Sequence, residues 1–266
     1  FLINNQYKNI LIINHNNMKI ALLIPCTSKN RNWKSIKESY LYQLSLKTFL
    51  LTQDKEYQYK FFIGIDKYDP IFDSNEQQKE ILKFKKVFKN IDFEFIEMSN
   101  IKKGHLTKMW NVLFKNAYNE EYDYFFQCGD DIHFTTKSWC KDCISTLQKH
   151  NNIGLTGPIN NNSRIMTQAF VSRKHMEIFG WFFPEEIINW CCDDWYNWVY
   201  QPNYFFPLKK HYCSNLGGDP RYDINNNPNY LKNPLKAQQD TQNLRNYTRQ
   251  LVETHKKLLQ NYLNNN

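Results

Sequence analysis

The sequence predicts an α/β fold with a mostly parallel central sheet flanked by helices. Two observations lead to this prediction. Over the first ~130 residues, apolar runs of strand length alternate with segments of helical periodicity, which is the order expected of β-α-β units. Each apolar run also ends in small polar or acidic side chains. In buried parallel sheets, the strand ends form the ligand-binding edge.

The first half supplies four strands and three helices in strict alternation. The predicted strands are residues 19–25, residues 59–65, residues 91–98 and the run from Tyr122 that ends in Gly129-Asp130-Asp131. The predicted helices are residues 34–53, 74–89 and 104–118. Joined by right-handed crossovers, these elements have the organisation of a Rossmann-like nucleotide-binding unit. The sequence contains no glycine-rich dinucleotide fingerprint and no P-loop, which weakens both of those interpretations.

The second half is less regular. Its periodicity predicts a helix over residues 138–149, short strands over residues 153–158 and 164–171, and a final amphipathic helix from residue 235. Beyond Pro207 the chain is predicted to be loop-like. We therefore expect three parts: an N-terminal extension (residues 1–17), an α/β domain (residues 18–218), and a linker with a C-terminal amphipathic helix (residues 219–266).

Charge and cysteine content limit the partners and the compartment. The net charge of +8 favours an anionic partner, although surface lysines without a dedicated partner are equally consistent with it. No recognised nucleic-acid motif is present, so no nucleic-acid partner is expected. No apolar run reaches the ~18 residues of a membrane span, and no transmembrane segment is expected. Seven cysteines, an odd number, predict reduced thiols and a cytoplasmic location. Frequent Asn, Lys, Ile and Tyr are typical of an AT-rich genome, such as that of a large DNA virus or of certain protists; for a virus, the location is the host cytoplasm.

Small polar and acidic residues follow three of the predicted parallel strands. Thr27 follows the first strand, Asp66 the second, and Asp130 and Asp131 the fourth. Because the carboxyl ends of parallel strands meet at one edge, we expect these side chains to converge. Two adjacent carboxylates suit a hard divalent cation that can hold a diphosphate. A polar turn after a buried strand is the simpler alternative.

At these residues the chain resembles a known group. The helix that carries Asn111, followed by an apolar strand ending in Asp130-Asp131, is similar to the A-x-N helix and the acidic D-x-D or D-D motif of GT-A fold glycosyltransferases, family 2 above all. Asp193-Asp194, which opens an aromatic helix, resembles the later acidic motif that supplies the catalytic base in that family. The resemblance covers residues 18–215. It implies a metal-dependent, inverting transfer of a sugar from a nucleotide-diphosphate donor, with a UDP-sugar favoured, to a glycan or protein hydroxyl.

The resemblance also implies a metal site. Mn²⁺ or Mg²⁺ neutralises the leaving diphosphate as a Lewis acid. Asp131 is the expected direct ligand, and Asp130 orients the metal or the ribose of the donor. His211 is an additional candidate ligand that would favour manganese, or else a surface or capping histidine. The chain departs from the D-x-D pattern because Gly129 stands at its first acidic position.

The second acidic pair is expected to provide the general base. Consecutive helical residues point about 100° apart, so only one of the two carboxylates can face the cleft. We favour Asp194 and keep Asp193 as the alternative. A helix N-cap is a competing explanation for the pair.

Further residues are candidates for substrate contacts. Asp66 and Thr27 are expected near the base or ribose of the donor, and Lys103, Lys108 and Arg164 near its phosphates. Gly217-Gly218 is a candidate hinge for a loop that closes over the diphosphate. A group of aromatic residues is expected either to form a platform for sugar rings or to fill the core: Trp181, Phe182, Phe183, Trp190, Trp195 and Trp198.

Three questions stay open at this stage. The last helix is expected to pack on its own domain or on a second subunit, which would make a homodimer. A nucleotidyltransferase of related fold is one alternative function, but the turn after the first strand has no glycine. A non-catalytic glycan-binding protein that retains the fold is the other.

Overall fold

A computed structural model describes residues 18–162, 164–218 and 234–266 of the chain, with side chains in the last range from residue 238. The predicted N-terminal extension and residues 219–233 of the predicted linker lie outside the described residues.

An eight-stranded sheet organises the fold. Its strands are β1 (Lys19–Cys26), β2 (Gln58–Ile65), β3 (Ile91–Glu97), β4 (Tyr124–Gln127), β5 (Ile132–Phe134), β6 (Leu155–Ile159), β7 (Ala169–Ser172) and β8 (Phe205–Asn215). They lie in the order β3-β2-β1-β4-β7-β6-β8-β5. The β3-β2-β1-β4 half is parallel throughout, as predicted, whereas β7 and β5 pair antiparallel to their neighbours. The predicted α/β sheet is confirmed, with a mixed second half.

Helices cover both faces of the sheet. They are α1 (Lys47–Thr52), α2 (Asn75–Leu82), α3 (Phe84–Val87), α4 (Leu106–Asn119), α5 (Trp139–Gln148), α6 (Lys174–Phe179), α7 (Cys192–Tyr200) and α8 (Pro234–Asn265). Alternate residues of β1 enter different cores: Ile20 and Leu22 pack on the α1 and α5 side, and Ala21 and Leu23 on the α4 and α7 side. Burial on both faces explains why this strand is apolar without interruption.

Two predicted helices are less regular than expected. Residues 34–53 contain a 3₁₀ turn (Ile36–Glu38) and a π-helical segment (Leu41–Leu46) before α1 begins. Residues 74–89 are divided into α2 and α3, with Lys83 between them. Apolar spacing alone does not distinguish these helix types, because all of them place side chains three to five residues apart on one face.

The prediction of a loop beyond Pro207 is wrong. β8 continues to Asn215, parallel to β6 over its first residues and antiparallel to β5 near its end. Its centre, Lys209-Lys210-His211, has little intrinsic preference for a strand, so pairing with both neighbours decides the conformation. This strand carries Gly217, just beyond its end, to the edge where β4 ends.

The C-terminal helix packs on its own domain. Thr248, Val252 and Leu259 form the buried stripe of α8, which lies against α6 and α7. Trp195 donates from Nε1 to Nδ1 of His255 at 3.0 Å. Of the apolar stripe that was a candidate dimer surface, Leu259 is buried against the domain, whereas Tyr247 and Leu258 are exposed. Across the described ranges, no helix combines the length and apolar composition that a bilayer crossing requires.

Candidate active site

The turn between β4 and β5 carries the first acidic pair. Asp130 is fully buried and Asp131 is half-buried. Ser45, in the π-helical segment, holds this turn on both sides: its hydroxyl donates to the Gly129 carbonyl at 3.4 Å and accepts from the Ile132 amide at 3.1 Å. The irregular helix therefore has a definite role, since it places one hydroxyl against the turn that presents both carboxylates.

Two glycines make room for the Asp131 side chain. A Cβ atom built on Gly129 would lie 2.5 Å from Asp131 Oδ1, and one built on Gly217 would lie 1.9 Å from Oδ2. Neither glycine has a φ angle in the left-handed region, so backbone conformation does not require glycine here. Glycine is needed at both positions because any side chain would overlap with Asp131. The backbone adds to this cradle, because the amide of Leu216 donates to the Asp131 carbonyl at 3.1 Å.

Asp69 joins the turn after β1 to the turn after β2. Its carboxylate accepts from the Thr27 hydroxyl at 3.2 Å and from the amide and hydroxyl of Ser28 at 2.7 and 2.8 Å. Thr27 and Asp66 are both buried at the ends of their strands, as the sequence predicts. The sequence analysis did not select Asp69. Asp69 is buried, and its hydrogen bonds hold the turns after β1 and β2 together at this edge of the sheet. The order of residues in the sequence does not reveal these partners.

Arg31 brings a positive charge to the same edge. Its Nη2 donates to the Gly217 carbonyl at 3.1 Å, and its guanidinium lies 5.5 Å from the ring centroid of Tyr40. Because Gly217 touches Asp131, Arg31 belongs to the surroundings of the first acidic pair. Sequence analysis did not select this residue. The available signal was its position in the basic turn directly after β1.

The second acidic pair lies in the first turn of α7, where the helix dipole favours negative charge. The N-cap residue is Cys191, so capping does not explain Asp193 or Asp194. Asp194 is 4% exposed and both of its oxygens accept from Arg164: Nη1 donates to Oδ1, and Nη2 donates to Oδ2 at 3.1 Å. Arg164 is 45% exposed and covers the buried carboxylate from the solvent side.

Asp193 has a different environment. Its Oδ1 accepts from the Tyr196 hydroxyl at 3.2 Å, and its side chain is partly accessible. Burial of the carboxyl among protein atoms raises the pKa of Asp193 to about 7; the Tyr196 hydrogen bond lowers it, and the neighbouring Asp194 carboxylate raises it further. The two adjacent carboxyls are thus held in distinct states, one paired with an arginine and one with a pKa near neutrality.

Residues 160–162 and 164–168, between β6 and β7, contact the surroundings of both acidic pairs. At one end, the Met166 amide and carbonyl bond to the side chain of Asn197 on α7, at 3.1 and 2.8 Å. At the other end, Asn161 exchanges two hydrogen bonds of 3.1 Å with the backbone of Asn215. Asn215 is two residues from Gly217, which touches Asp131. Arg164, which pairs with Asp194, lies between these anchors in the chain, so this segment links the surroundings of the two acidic pairs.

The motif residue Asn111 has a supporting role. Its Oδ1 accepts from the amides of Phe182 and Phe183 at 3.0 and 2.8 Å, and its Nδ2 donates to the Phe183 carbonyl at 2.9 Å. It therefore fixes the segment that precedes α7. Lys108, a predicted phosphate contact, instead pairs with Glu185 of this segment at 3.3 Å.

His211 does not join the first acidic pair. Its Nδ1 is 3.1 Å from the Thr136 hydroxyl and its Nε2 is 2.7 Å from the Asp142 carboxylate. Both ring nitrogens are therefore engaged between β8 and α5, which removes His211 from the predicted metal ligands. Among the described residues, no three His, Cys, Asp or Glu side chains are grouped as a metal site.

The predicted aromatic platform is mostly core. Phe182, Phe183 and Trp195 are completely buried. Trp181 packs on His255 and Trp198 lies beneath Arg249, so both serve the α8 interface. Trp190 is half-buried and directly precedes the Cys191 N-cap. Of the predicted aromatic platform, Trp190 stays the candidate for contact with a sugar ring.

Comparison with known proteins identifies the fold. No family model and no curated protein sequence matches the chain. The solved structure of S. aureus TarS 1-349 in complex with UDP-GlcNAc matches with a TM-score of 0.54 and 17% identity, over 79% of this chain and 62% of that one. The same TarS fragment in complex with UDP matches with a TM-score of 0.50 and 17% identity, over 74% and 60%. TarS is a GT-A-type glycosyltransferase.

The chain has a GT-A fold. This confirms the fold that the sequence resemblance implied. The chain spans 60% to 62% of the length of these two TarS structures. In α/β folds of this kind, ligands bind outside the carboxyl ends of the parallel strands. Thr27, Asp66 and Asp130 lie at that edge.

Proposed function

We propose that the protein is a metal-dependent, inverting glycosyltransferase that moves a sugar from a nucleotide-diphosphate donor to a hydroxyl of a glycan or glycoprotein. One observation carries the proposal: on a GT-A fold, Asp131 is cradled by Gly129 and Gly217 at the carboxyl end of β4. A UDP-sugar is the favoured donor, supported by the solved TarS complexes with UDP and UDP-GlcNAc.

The first acidic pair fits a divalent cation. Carboxylate oxygens are the ligands that Mg²⁺ and Mn²⁺ prefer, and the glycine cradle keeps the Asp131 carboxylate at the edge of the sheet. Asp131 would hold the ion, with Asp130 orienting it or the donor ribose. When bound, the ion neutralises the charge that develops on the leaving diphosphate.

The donor is bound by the chain's own residues at the same edge. Thr27 and Asp66 are the proposed contacts to the nucleoside, because Thr27 follows β1, which pairs with β4, and Asp66 follows β2, which pairs with β1. Arg31 supports the phosphates, since its guanidinium reaches Gly217 next to Asp131. Lys108 is a weaker candidate for phosphate contact than the sequence indicated, because it already forms an ion pair with Glu185.

Asp194 is the proposed general base, which takes the proton from the acceptor hydroxyl. Arg164 covers Asp194 in the substrate-free protein, and a diphosphate attracts a guanidinium more strongly than one carboxylate does. Donor binding would therefore draw Arg164 to the phosphates and uncover the base. Asp193 is the alternative base, because a pKa of about 7 suits a group that must accept a proton at neutral pH.

The test is donor hydrolysis across a panel of nucleotide-sugars, with Mn²⁺, with Mg²⁺ and with EDTA. Asp131→Asn should lose metal-dependent hydrolysis by at least ~10²-fold, as expected when a charge-stabilising group is removed. Asp123→Asn is the matched control: Asp123 lies at the opposite end of β4, where it accepts from the Lys19 amide at 2.8 Å. Absence of hydrolysis and of nucleotide binding with every donor, in folded wild-type protein, would overturn the proposal.

A further inference from the structure

The outer face of α2 and α3 combines lysines with exposed aliphatic side chains. Lys83, between the two helices, keeps helical φ and ψ angles of −59° and −29°, so one helical face continues through both. Ile81, Phe84 and Phe88 hold the inner side of this segment against the core. The outer face has the spacing i, i+3, i+4, i+7 and i+8, and all of its members are exposed: Lys79, Leu82, Lys83, Lys86 and Val87.

The aliphatic members of this surface are unusually accessible. Val87 is 72% exposed, and Leu51, on the outer side of α1, is 73% exposed. They are the two most exposed aliphatic side chains among those that the structure describes. Single exposed aliphatic residues are ordinary on protein surfaces, whereas several that share one surface indicate an interaction site.

The segment that carries Leu51 lies beside α3. Ahead of Leu51 in the chain, the ring centroid of Tyr42 is 5.5 Å from that of Phe84. Beyond Leu51, Asn90 donates from Nδ2 to Oε1 of Gln53 at 2.7 Å. Because Leu51 and the last residues of α3 lie between these two contacts, their exposed side chains belong to one surface. We call Leu51 and the outer face of α2 and α3 the basic apolar patch.

The patch carries positive charge that nearby acids do not neutralise. Residues 79–89 contain five lysines and one glutamate. Glu80 forms ion pairs with Lys83 and Lys37, and Asp92 pairs with Lys85. Within the described part of the chain, no carboxylate pairs with the three other lysines of this segment: Lys79, Lys86 and Lys89.

The combination of the two features indicates the partner. Lysines alone would suit solvent or any polyanion, and aliphatic side chains alone would suit another protein. A helical face with both matches the surface of an anionic bilayer, where apolar side chains enter the boundary between headgroups and acyl chains and lysines meet the lipid phosphates. We propose that the basic apolar patch docks the protein on the surface of a membrane that contains anionic lipids.

This inference does not rest on the proposed function. In the chain, α1 ends shortly before β2 begins, and α3 shortly before β3 begins, so the patch lies toward the amino ends of these strands. The proposed donor site is at the carboxyl ends. Docking through the patch would therefore leave that edge of the sheet turned away from the bilayer.

The experiment is co-sedimentation of the full chain with vesicles of phosphatidylcholine, with and without about one third phosphatidylserine, at about 0.1 M salt and above. We expect binding to the anionic vesicles alone, weakening as salt rises. A lysine near an anionic surface is worth about fivefold in affinity, so Lys79→Gln combined with Lys86→Gln should weaken binding by about 20-fold. Leu51→Asn combined with Val87→Asn removes no charge and should weaken it by about tenfold.

The matched control is Lys256→Gln combined with Lys257→Gln. It removes the same charge from α8, which packs on the α4 and α7 side of the sheet, and should change vesicle binding by less than about threefold. All of these side chains are at least partly exposed, so thermal unfolding of each variant should match wild type.

Three results would overturn the inference. Wild-type protein that does not sediment with anionic vesicles has no such docking surface. An equal loss of binding in the two lysine pairs would mean that net charge drives adsorption, without a specific patch. Unchanged binding after the Leu51 and Val87 substitutions would mean that no apolar side chain enters the bilayer. UDP titration is a separate measurement: protein that binds vesicles but no UDP keeps this inference and loses the proposed function.

Discussion

Gly217→Ala is the sharpest test of the Asp131 cradle. The new methyl carbon would lie 1.9 Å from Oδ2, 2.6 Å from Cγ and 2.7 Å from Cβ of Asp131, whereas ordinary contact begins at 3.4 Å. Rotation of the carboxylate alone cannot relieve this overlap, since Cβ is involved as well. The carboxylate must move by about 1.5 Å, and a misplacement of ~1 Å costs ~10²-fold in rate, or ~2.7 kcal/mol of transition-state stabilisation.

The assay is metal-dependent donor hydrolysis, with thermal unfolding measured on the same samples. Gly217 has no left-handed φ, so we expect the melting temperature of the variant to stay within a few degrees of wild type. Gly180→Ala is the opposite control. Gly180 has φ +80 and nothing within 4 Å of an added Cβ, so its substitution should cost ~1 kcal/mol of stability and leave hydrolysis intact. Gly217→Ala with hydrolysis within threefold of wild type would refute the cradle as the basis of the site.

Four further predictions concern α7 and its neighbours. Asp194→Asn should lower kcat of transfer by ~10²–10⁴-fold, the contribution of a general base, whereas Asp193→Asn should lower it less; the reverse order would make Asp193 the base. The pKa of Asp193 is raised in the folded state, so its ionisation destabilises the fold. The free energy of unfolding of Asp193→Asn, relative to wild type, should therefore increase as the pH rises from about 4 to 7. A difference in unfolding free energy that stays constant over this range, measured by urea unfolding, would contradict this. Burial lowers the pKa of His175 to about 4, so wild-type stability should fall by ~2 kcal/mol between pH 7 and pH 5, and His175→Gln should lack this component of the pH slope. Trp195→Phe, which removes the donor to His255, should cost ~1 kcal/mol in unfolding free energy; no change would mean that this bond does not hold α8.

The sequence predicted the parallel half of the sheet because that half is buried on both faces. Strands β1 and β2 begin and end within one residue of the predicted ranges, since continuous apolar runs bounded by polar turns leave few alternatives. Asp66 and Asp130 lie at the strand ends for the same reason. Local pattern was sufficient here, because a strand that is buried on both faces is apolar without interruption, and its own sequence shows this.

Local pattern was insufficient where partners are distant in sequence. β8 forms a strand because β5 and β6 pair with it, although its centre is lysine-rich. His211 suggested a metal ligand by its type, yet Thr136 and Asp142 occupy both of its nitrogens. The cradle at Asp131 also depends on Gly217, which lies 86 residues away in the chain. No spacing rule relates such positions; only the folded geometry does.

The environment of α7 gives its two adjacent carboxyls different chemistry. Two ionised carboxylates on successive residues repel each other, and burial strengthens that repulsion. Arg164 stabilises the charge of Asp194 through two hydrogen bonds, whereas Asp193 accepts only from the neutral Tyr196 hydroxyl and Cys192 thiol and shifts toward the protonated form. A substrate that drew Arg164 away would leave the Asp194 carboxylate open to an acceptor hydroxyl. The same ion pair that covers Asp194 would thus couple donor binding to the accessibility of the proposed base.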